Sequence, residues 1–245
     1  TEIPSYPEGH NILKGKTVVV TAAAGTGIGF ATARRCAEEG ATVMLSDIHE
    51  RRLLQAVDEL EKITGERPAS RLCNVTLESD VQALMDEAVE KLGHVDVLVN
   101  NAGLGRKAGF HDGATEDWRE MLEVNVLALT VACREALASF DKDRGGHILN
   151  VSSMAGHRIP PRGGFYAATK FAVRAITECL RQELRALGSP SRVSEISPGF
   201  VTTEFHDVFY RGDAEQIAER LPDYRVLDPQ DVAASVLHIL EAPDH

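Results

Sequence analysis

The chain of 245 residues predicts one α/β domain: a doubly wound parallel sheet with helices on both faces, in three layers. Two observations predict this class. Short runs rich in β-branched residues alternate along the whole length with longer segments of helical periodicity, the pattern of strands joined by helical crossovers. The composition, 43% hydrophobic and 26% charged, supplies a core large enough for such a sheet and excludes disordered and low-complexity classes.

The elements follow in order. Lys16–Thr21 (KTVVVT) reads as a first buried strand, and residues from Gly27 to Glu39 as its helix, stopped by Gly40. Ala41–Ser46 is the second strand, followed by a charged helix from Glu50 to Ile63. Ala69–Cys73 is a third strand ahead of a helix from Glu78 to Leu92, and Val95–Val99 a fourth that runs into Asn100-Asn101-Ala102-Gly103. A single long helix is expected from Thr115 to Ser139, then a fifth strand at His147–Val151 and a helix from Gly164 to just before Gly188. Arg192–Ile196 reads as a sixth strand, and a mixed polar and aromatic stretch over about 199–226 as a lid. Asp228 caps a last helix, with Pro229 at its first position and Asp231 in its first turn. Right-handed crossovers then build an open sheet whose ligands belong beyond the carboxyl ends of the strands.

Charge narrows the partners. With 26 basic against 37 acidic residues the formal net charge is −11, so no summed positive field draws nucleic acid or an anionic bilayer. No apolar run approaches the roughly 18 residues of a membrane span, and the start (Thr1-Glu2-Ile3-Pro4) has no secretory pattern, which points to the cytoplasm. Cys36, Cys73, Cys133 and Cys179 are far apart and fall in predicted core segments, so they read as reduced buried thiols. The nine histidines show no ligand spacing, and no metal is expected.

Three constellations carry chemistry. The turn from Thr21 to Gly29 (TAAAGTGIG) leaves a strand and opens a helix. Gly25, Gly27, Ile28 and Gly29 there suit a dinucleotide pyrophosphate, which would meet unsatisfied N–H groups and a positive helix end; a plain glycine-rich connection is the alternative. Asp47, directly after the second strand with Ile48 beside it, can accept both hydroxyls of an adenosine ribose and repel a 2′-phosphate. That favours NAD over NADP, although an acid ahead of the helix start is the competing reading. Arg51 and Arg52 lie too far along the following helix to assist a phosphate, while Arg34 and Arg35 leave the question open. Tyr166 and Lys170, four residues apart, share one helix face about 6 Å along the axis, so an ammonium can favour ionisation of a phenol whose ordinary pKa is about 10. Ser153, at the end of the fifth strand, points a hydroxyl toward the same crevice.

These motifs together resemble the short-chain dehydrogenases/reductases, single-domain Rossmann-type NAD(P)-dependent oxidoreductases, in the manner of a 3-oxoacyl-carrier-protein reductase. Asn100-Asn101-Ala102-Gly103 matches the family's N-N-A-G turn, Asn125 its helix asparagine, and Ser153 with Tyr166-Ala167-Ala168-Thr169-Lys170 its serine and Y-x-x-x-K. Pro198-Gly199 with Thr203 matches its nicotinamide-side loop. The resemblance implies Tyr166 as general acid/base, Lys170 as ribose ligand and activator of the tyrosine, Ser153 as holder of the reacting oxygen, and Asn125 as positioner of a relay water. It also implies that Asn74-Val75 flank adenine, that Asn101, Ala102 and Gly103 line the cofactor, and that Val201 meets the carboxamide through its backbone. The implied reaction is hydride transfer between NAD(H) and a secondary alcohol or ketone.

Two departures stand out. Counting back from Gly27-Ile28-Gly29, the family's T-G-x-x-x-G-x-G puts Ala22 at the threonine and Ala23 at the first glycine; the preferred alternative takes Thr21 as the threonine with a loop one residue longer, Gly25 offering a replacement flexible position. A seventh strand usually follows the last helix, whereas this sequence stops at Ala242-Pro243-Asp244-His245.

On the substrate side, His157, Arg158 and Arg162 lie between Ser153 and Tyr166, placed to grip a carboxylate or a phosphate-bearing carrier or else to remain solvated. Phe200, Phe205, Phe209 and Tyr210 shape an apolar pocket or pack the lid, and Trp118 reads as a packing residue. A hydrophobic or acyl-type small molecule is the expected substrate. The long helix and the helix carrying Tyr166 present more apolar surface than one sheet face needs, and the resemblance implies a homodimer or homotetramer. The rival readings are a dehydratase, epimerase or enoyl reductase on the same scaffold, and a nucleotide-sensing protein without turnover.

Overall fold

The computed structural model describes residues 11–161, 164–215, 217 and 223–242. Six parallel strands, β1 (Thr17–Val20), β2 (Thr42–Asp47), β3 (Ala69–Leu72), β4 (Val97–Asn100), β5 (His147–Val151) and β6 (Arg192–Ile196), stand in the order β3-β2-β1-β4-β5-β6. The order reverses between β1 and β4, which opens a crevice at the carboxyl ends of those two strands. Both faces are covered, as a parallel sheet requires. Val18 and Val20 point with Val43 and Leu45 to one hydrophobic layer, while Val19 and Met44 point with Leu98 and Ile148 to the other. The alternation is the strand period of two acting within a continuous apolar run.

The helices are α1 (Ile28–Glu38), α2 (Glu50–Thr64), α3 (Glu78–Leu92), α4 (Thr115–Leu122), α5 (Leu129–Ser139), α6 (Gly164–Ala186), α7 (Phe205–Phe209) and α8 (Pro229–Glu241). The helix expected over Thr115–Ser139 is one rod with a π turn at Glu123–Ala128 between α4 and α5, and that turn carries Asn125. Wide turns of this kind gather at functional sites, and here the turn directs a polar residue into a wall of the crevice. Asp228 and Asp231 form a reciprocal capping box at the start of α8.

The sheet ends at β6, so the expected seventh strand is absent among the described residues. Cys179 is exposed on α6, against the expectation of four buried thiols; Cys36, Cys73 and Cys133 are buried. Burial pushes those three thiols up to about 12, 11 and 12, which keeps them protonated and unreactive. Residues 216 and 218–222 of the expected lid, together with Arg162, lie outside the described residues.

Candidate active site

One cleft of about 960 Å³ lies above the carboxyl ends of the strands and receives most of the residues singled out from the sequence. Its first wall begins at Thr21. The hydroxyl oxygen accepts from the N–H groups of Asn101 and Ala102, each at 3.0 Å, so the residue after β1 is locked to the residues after β4. Asn101 returns the contact, its Nδ2 donating to the carbonyls of Thr21 and Ala22 at 3.0 Å. Ala22 is held in the left-handed region with φ 50°, a conformation that costs a residue with a Cβ and persists because Asn101 clamps its carbonyl. Thr21 thus takes the threonine position, and the loop is one residue longer.

Gly29 has no substitute. A Cβ there would stand 2.3 Å from the Ala22 carbonyl and 2.5 Å from Asn101 Nδ2. The start of α1 has no side-chain cap and no acidic residue in its first turn, which leaves its N–H groups and positive end for an anion. Asp47 stands beside this turn, Oδ2 accepting from Ala24 N–H at 3.1 Å and Oδ1 from His49 N–H at 3.0 Å. Ile48, Asn74, Val75, Ala102 and Gly103 line the same cleft, with the Asn74 Oδ1 accepting from the backbone and hydroxyl of Thr76. An uncapped helix end, a glycine without room for a Cβ and a carboxylate hydrogen-bonded to the turn fit a dinucleotide.

Arg52 corrects the sequence reading. Its guanidinium lies over Gly25, so close that a Cβ there would meet it at 2.3 Å, and it pairs with Glu204 just before α7. The two residues are 152 apart in sequence, and no local spacing signals the pair. Arg34 and Arg35 instead pair with Glu38 and Glu39 along α1 and do not line the cleft.

The second wall carries the reactive groups. Ser153, two residues past the end of β5, caps a short 3-10 turn, its Oγ accepting from Ala155 N–H at 3.1 Å. Lys170 is buried; its Nζ donates to the Val151 carbonyl at 3.0 Å and lies 5.8 Å from the centre of the Tyr166 ring. Burial pushes the Tyr166 phenol up to about 12, opposed by a hydrogen bond with Ser153, and pushes Lys170 down to about 8, opposed by the charge of Glu195. Desolvation is the largest cause for both groups, so burial raises the phenol where helical spacing alone led to the expectation of a lowered one. Asn125 is fully engaged: Oδ1 accepts from Leu104 N–H at 2.8 Å, and Nδ2 donates to the Leu104 carbonyl at 2.7 Å and to Thr169 Oγ1 at 3.0 Å. It braces the wall that Gly103 and Leu104 form opposite Lys170.

The loop after β6 closes the cleft. The Pro198 carbonyl accepts from Met154 N–H at 2.9 Å, tying Pro198-Gly199 to the Ser153 turn. Val201 bridges Leu227 in parallel; Leu227 bonds to Phe200 and Thr202, so the N–H and C=O of Val201 face away from that partner. Thr203 Oγ1 accepts from Phe205 N–H at 3.3 Å at the start of α7. Phe205 and Phe209 pack on the Tyr166 ring, with centroids at 5.3 and 6.2 Å, and Phe200 stacks on His206. Trp118 packs with Phe110 and Phe165, as a packing residue should. His157 is drawn away to Ser197 and Glu195, whereas Arg158 lines the cleft. No group of three or more metal-ligating side chains occurs among the described residues.

A family model described as short chain dehydrogenase matches residues 16–212. The chain belongs to the short-chain dehydrogenase family. It is 40% identical over 235 residues to a hydroxy-methyl-oxo-hexahydroindene-carboxyl-CoA reductase of Mycobacterium tuberculosis, covering 95% of this chain and 89% of that protein. Among solved structures it resembles a Burkholderia phymatum short-chain dehydrogenase/reductase in complex with NAD, at 31% identity and TM-score 0.82, covering 93% of this chain and 86% of the other. It also resembles the closed form of a serine dehydrogenase complexed with NADP+, at 31% identity and TM-score 0.86, covering 94% and 90%. Solved structures similar to this chain thus hold NAD in one case and NADP+ in another. No helix among the described residues is long and apolar enough to cross a membrane.

Proposed function

We propose that this oxidoreductase transfers a hydride between NAD(H) and a secondary alcohol or its ketone on a hydrophobic or acyl-type small molecule. The observation that carries the reading is the convergence of Ser153, Tyr166 and Lys170 on one cleft with the glycine turn and Asp47. The nicotinamide supplies or accepts the hydride when bound. In reduction the Tyr166 hydroxyl gives its proton to the carbonyl oxygen, Ser153 holds that oxygen, and Lys170 backs the phenolate that forms. Lys170 also binds the ribose. Asn125 fixes Leu104 with its committed side chain, which leaves its backbone carbonyl, on the π turn, as the group that would position the relay water. Gly25, Gly27, Ile28 and Gly29 receive the pyrophosphate, Asn74 and Val75 flank adenine, and Pro198, Gly199, Val201 and Thr203 hold the nicotinamide end. Asp47, an acid at the ribose position, supports NAD over NADP. The segment around 199–226 serves as the lid.

Exposed Leu122, Leu127 and Phe171 on the α4–α5 rod and α6 support a homodimer or homotetramer through those helices, and the site of action is assigned to the cytoplasm. The test is a panel of secondary alcohols with NAD, followed by nicotinamide absorbance with product analysis. Oxidation to the matching ketones is expected. Elimination or epimerisation products with no change in absorbance would replace this reading.

A further inference from the structure

The charges lining the cleft do not cancel evenly. Arg52 pairs with Glu204, and Arg106 pairs with Glu120 through two bonds of 2.7 and 2.9 Å while also donating to the Val208 carbonyl. Lys170 is buried against Val151. Asp47 is held by two backbone N–H groups in the half of the cleft that receives the nucleotide. Arg158 is different: it lines the cleft and is exposed, its backbone N–H closes the Ser153 turn on the Met154 carbonyl at 3.2 Å, and among the described residues its guanidinium has no acidic partner. The turn also separates it from its neighbour, since His157 is committed to Ser197 at 2.8 Å.

Resting on the proposed carbonyl chemistry, we propose that Arg158 binds an anionic group, a carboxylate or phosphate, at the end of the substrate remote from the reacting carbon. The placement gives an order to the substrate. Phe205 and Phe209 cover the Tyr166 ring, so the part next to the reacting carbon meets aromatic surface. Arg158 follows the turn that Ser153 caps and lines the same cleft, so an anion on it shares the cleft with a carbonyl held at Ser153. In a chain of net charge −11 the general field repels anions, so a guanidinium with no acidic partner among the described residues selects such a substrate locally.

The test uses a length series of (ω−1)-oxo carboxylates, from 5-oxohexanoate to 11-oxododecanoate, and their methyl esters, reduced with NADH. The wild-type protein is expected to prefer the acid over its ester at one or more lengths by about ten- to hundred-fold in kcat/KM, the range of a charge-assisted hydrogen bond. Arg158→Ala should abolish that preference through KM with kcat for the esters unchanged, and Arg158→Lys should restore part of it. Equal use of acids and esters by the wild type, or an acid preference that survives Arg158→Ala, overturns the proposal and leaves the carbonyl chemistry standing. Failure of every acid and ester to be reduced overturns both.

Discussion

The two walls of the cleft are made by different physics. On the nucleotide wall, polar side chains fix the main chain: Thr21, Asn101 and Asp47 spend their hydrogen bonds on backbone groups of the turns beside them. On the substrate wall, aromatic rings of α7 rest on Tyr166, and Arg106 and Lys107 hold the end of α7 through the carbonyls of Val208 and Phe209. A wall defined by backbone geometry recognises what every dinucleotide has in common. A wall defined by ring packing is shaped by whichever side chains the sequence places there, and under the proposed function it would set the substrate.

The largest expected effect separates chemistry from binding. Tyr166→Phe removes the proton donor and keeps the ring that packs under Phe205, so kcat should fall by about 10²- to 10⁴-fold while the NADH dissociation constant, followed by fluorescence, stays within about two-fold. A variant that retains turnover would remove Tyr166 from its role.

On the other wall, Gly29→Ala forces a Cβ against the Ala22 carbonyl at 2.3 Å, where neither backbone can yield cheaply. Overpacking of this kind costs about 1–3 kcal/mol, and the displaced turn should also weaken NADH binding by more than tenfold. Thermal unfolding and NADH titration measure the two losses, and wild-type values in both would mean that the turn is looser than its contacts indicate.

The smallest of the three effects tests discrimination between dinucleotides. Asp47→Asn removes the charge that opposes a 2′-phosphate, so the ratio of NADPH to NADH dissociation constants should fall by about tenfold, the weight of one charged hydrogen bond. An unchanged ratio would transfer the discrimination to Arg52, which lies over the same turn.

The contrast also explains what the sequence reveals. The strands and helices are legible because their periodicities are local, and the order of elements from Lys16 to α8 follows directly. The nucleotide wall is nearly as legible, since glycine spacing and an acid at the end of β2 are local signals of backbone geometry. The π turn at Asn125 is not, because its residues have ordinary helix-forming character and only packing around Leu104 and Thr169 selects the wider turn. Nor is the Arg52–Glu204 pair, whose partners meet only when the loop after β6 folds over α2. The raised Tyr166 phenol is not legible either: helical spacing reports only that an amine is near, while burial is a property of the whole fold.

The central claim is that a buried phenol gives its proton with a buried amine behind it. The direct measurement is the pH dependence of kcat for ketone reduction under saturating NADH. The phenol, raised to about 12, stays protonated through neutral pH, and the amine, lowered to about 8, loses its charge as pH rises through that value. The expected rate is flat from about pH 6 to 7 and falls as pH rises through about 8, with alcohol oxidation rising over the same alkaline range as proton release becomes easier. A reduction rate that instead climbs with pH through the neutral region would contradict it, because the group in control would then be a base and not this pair.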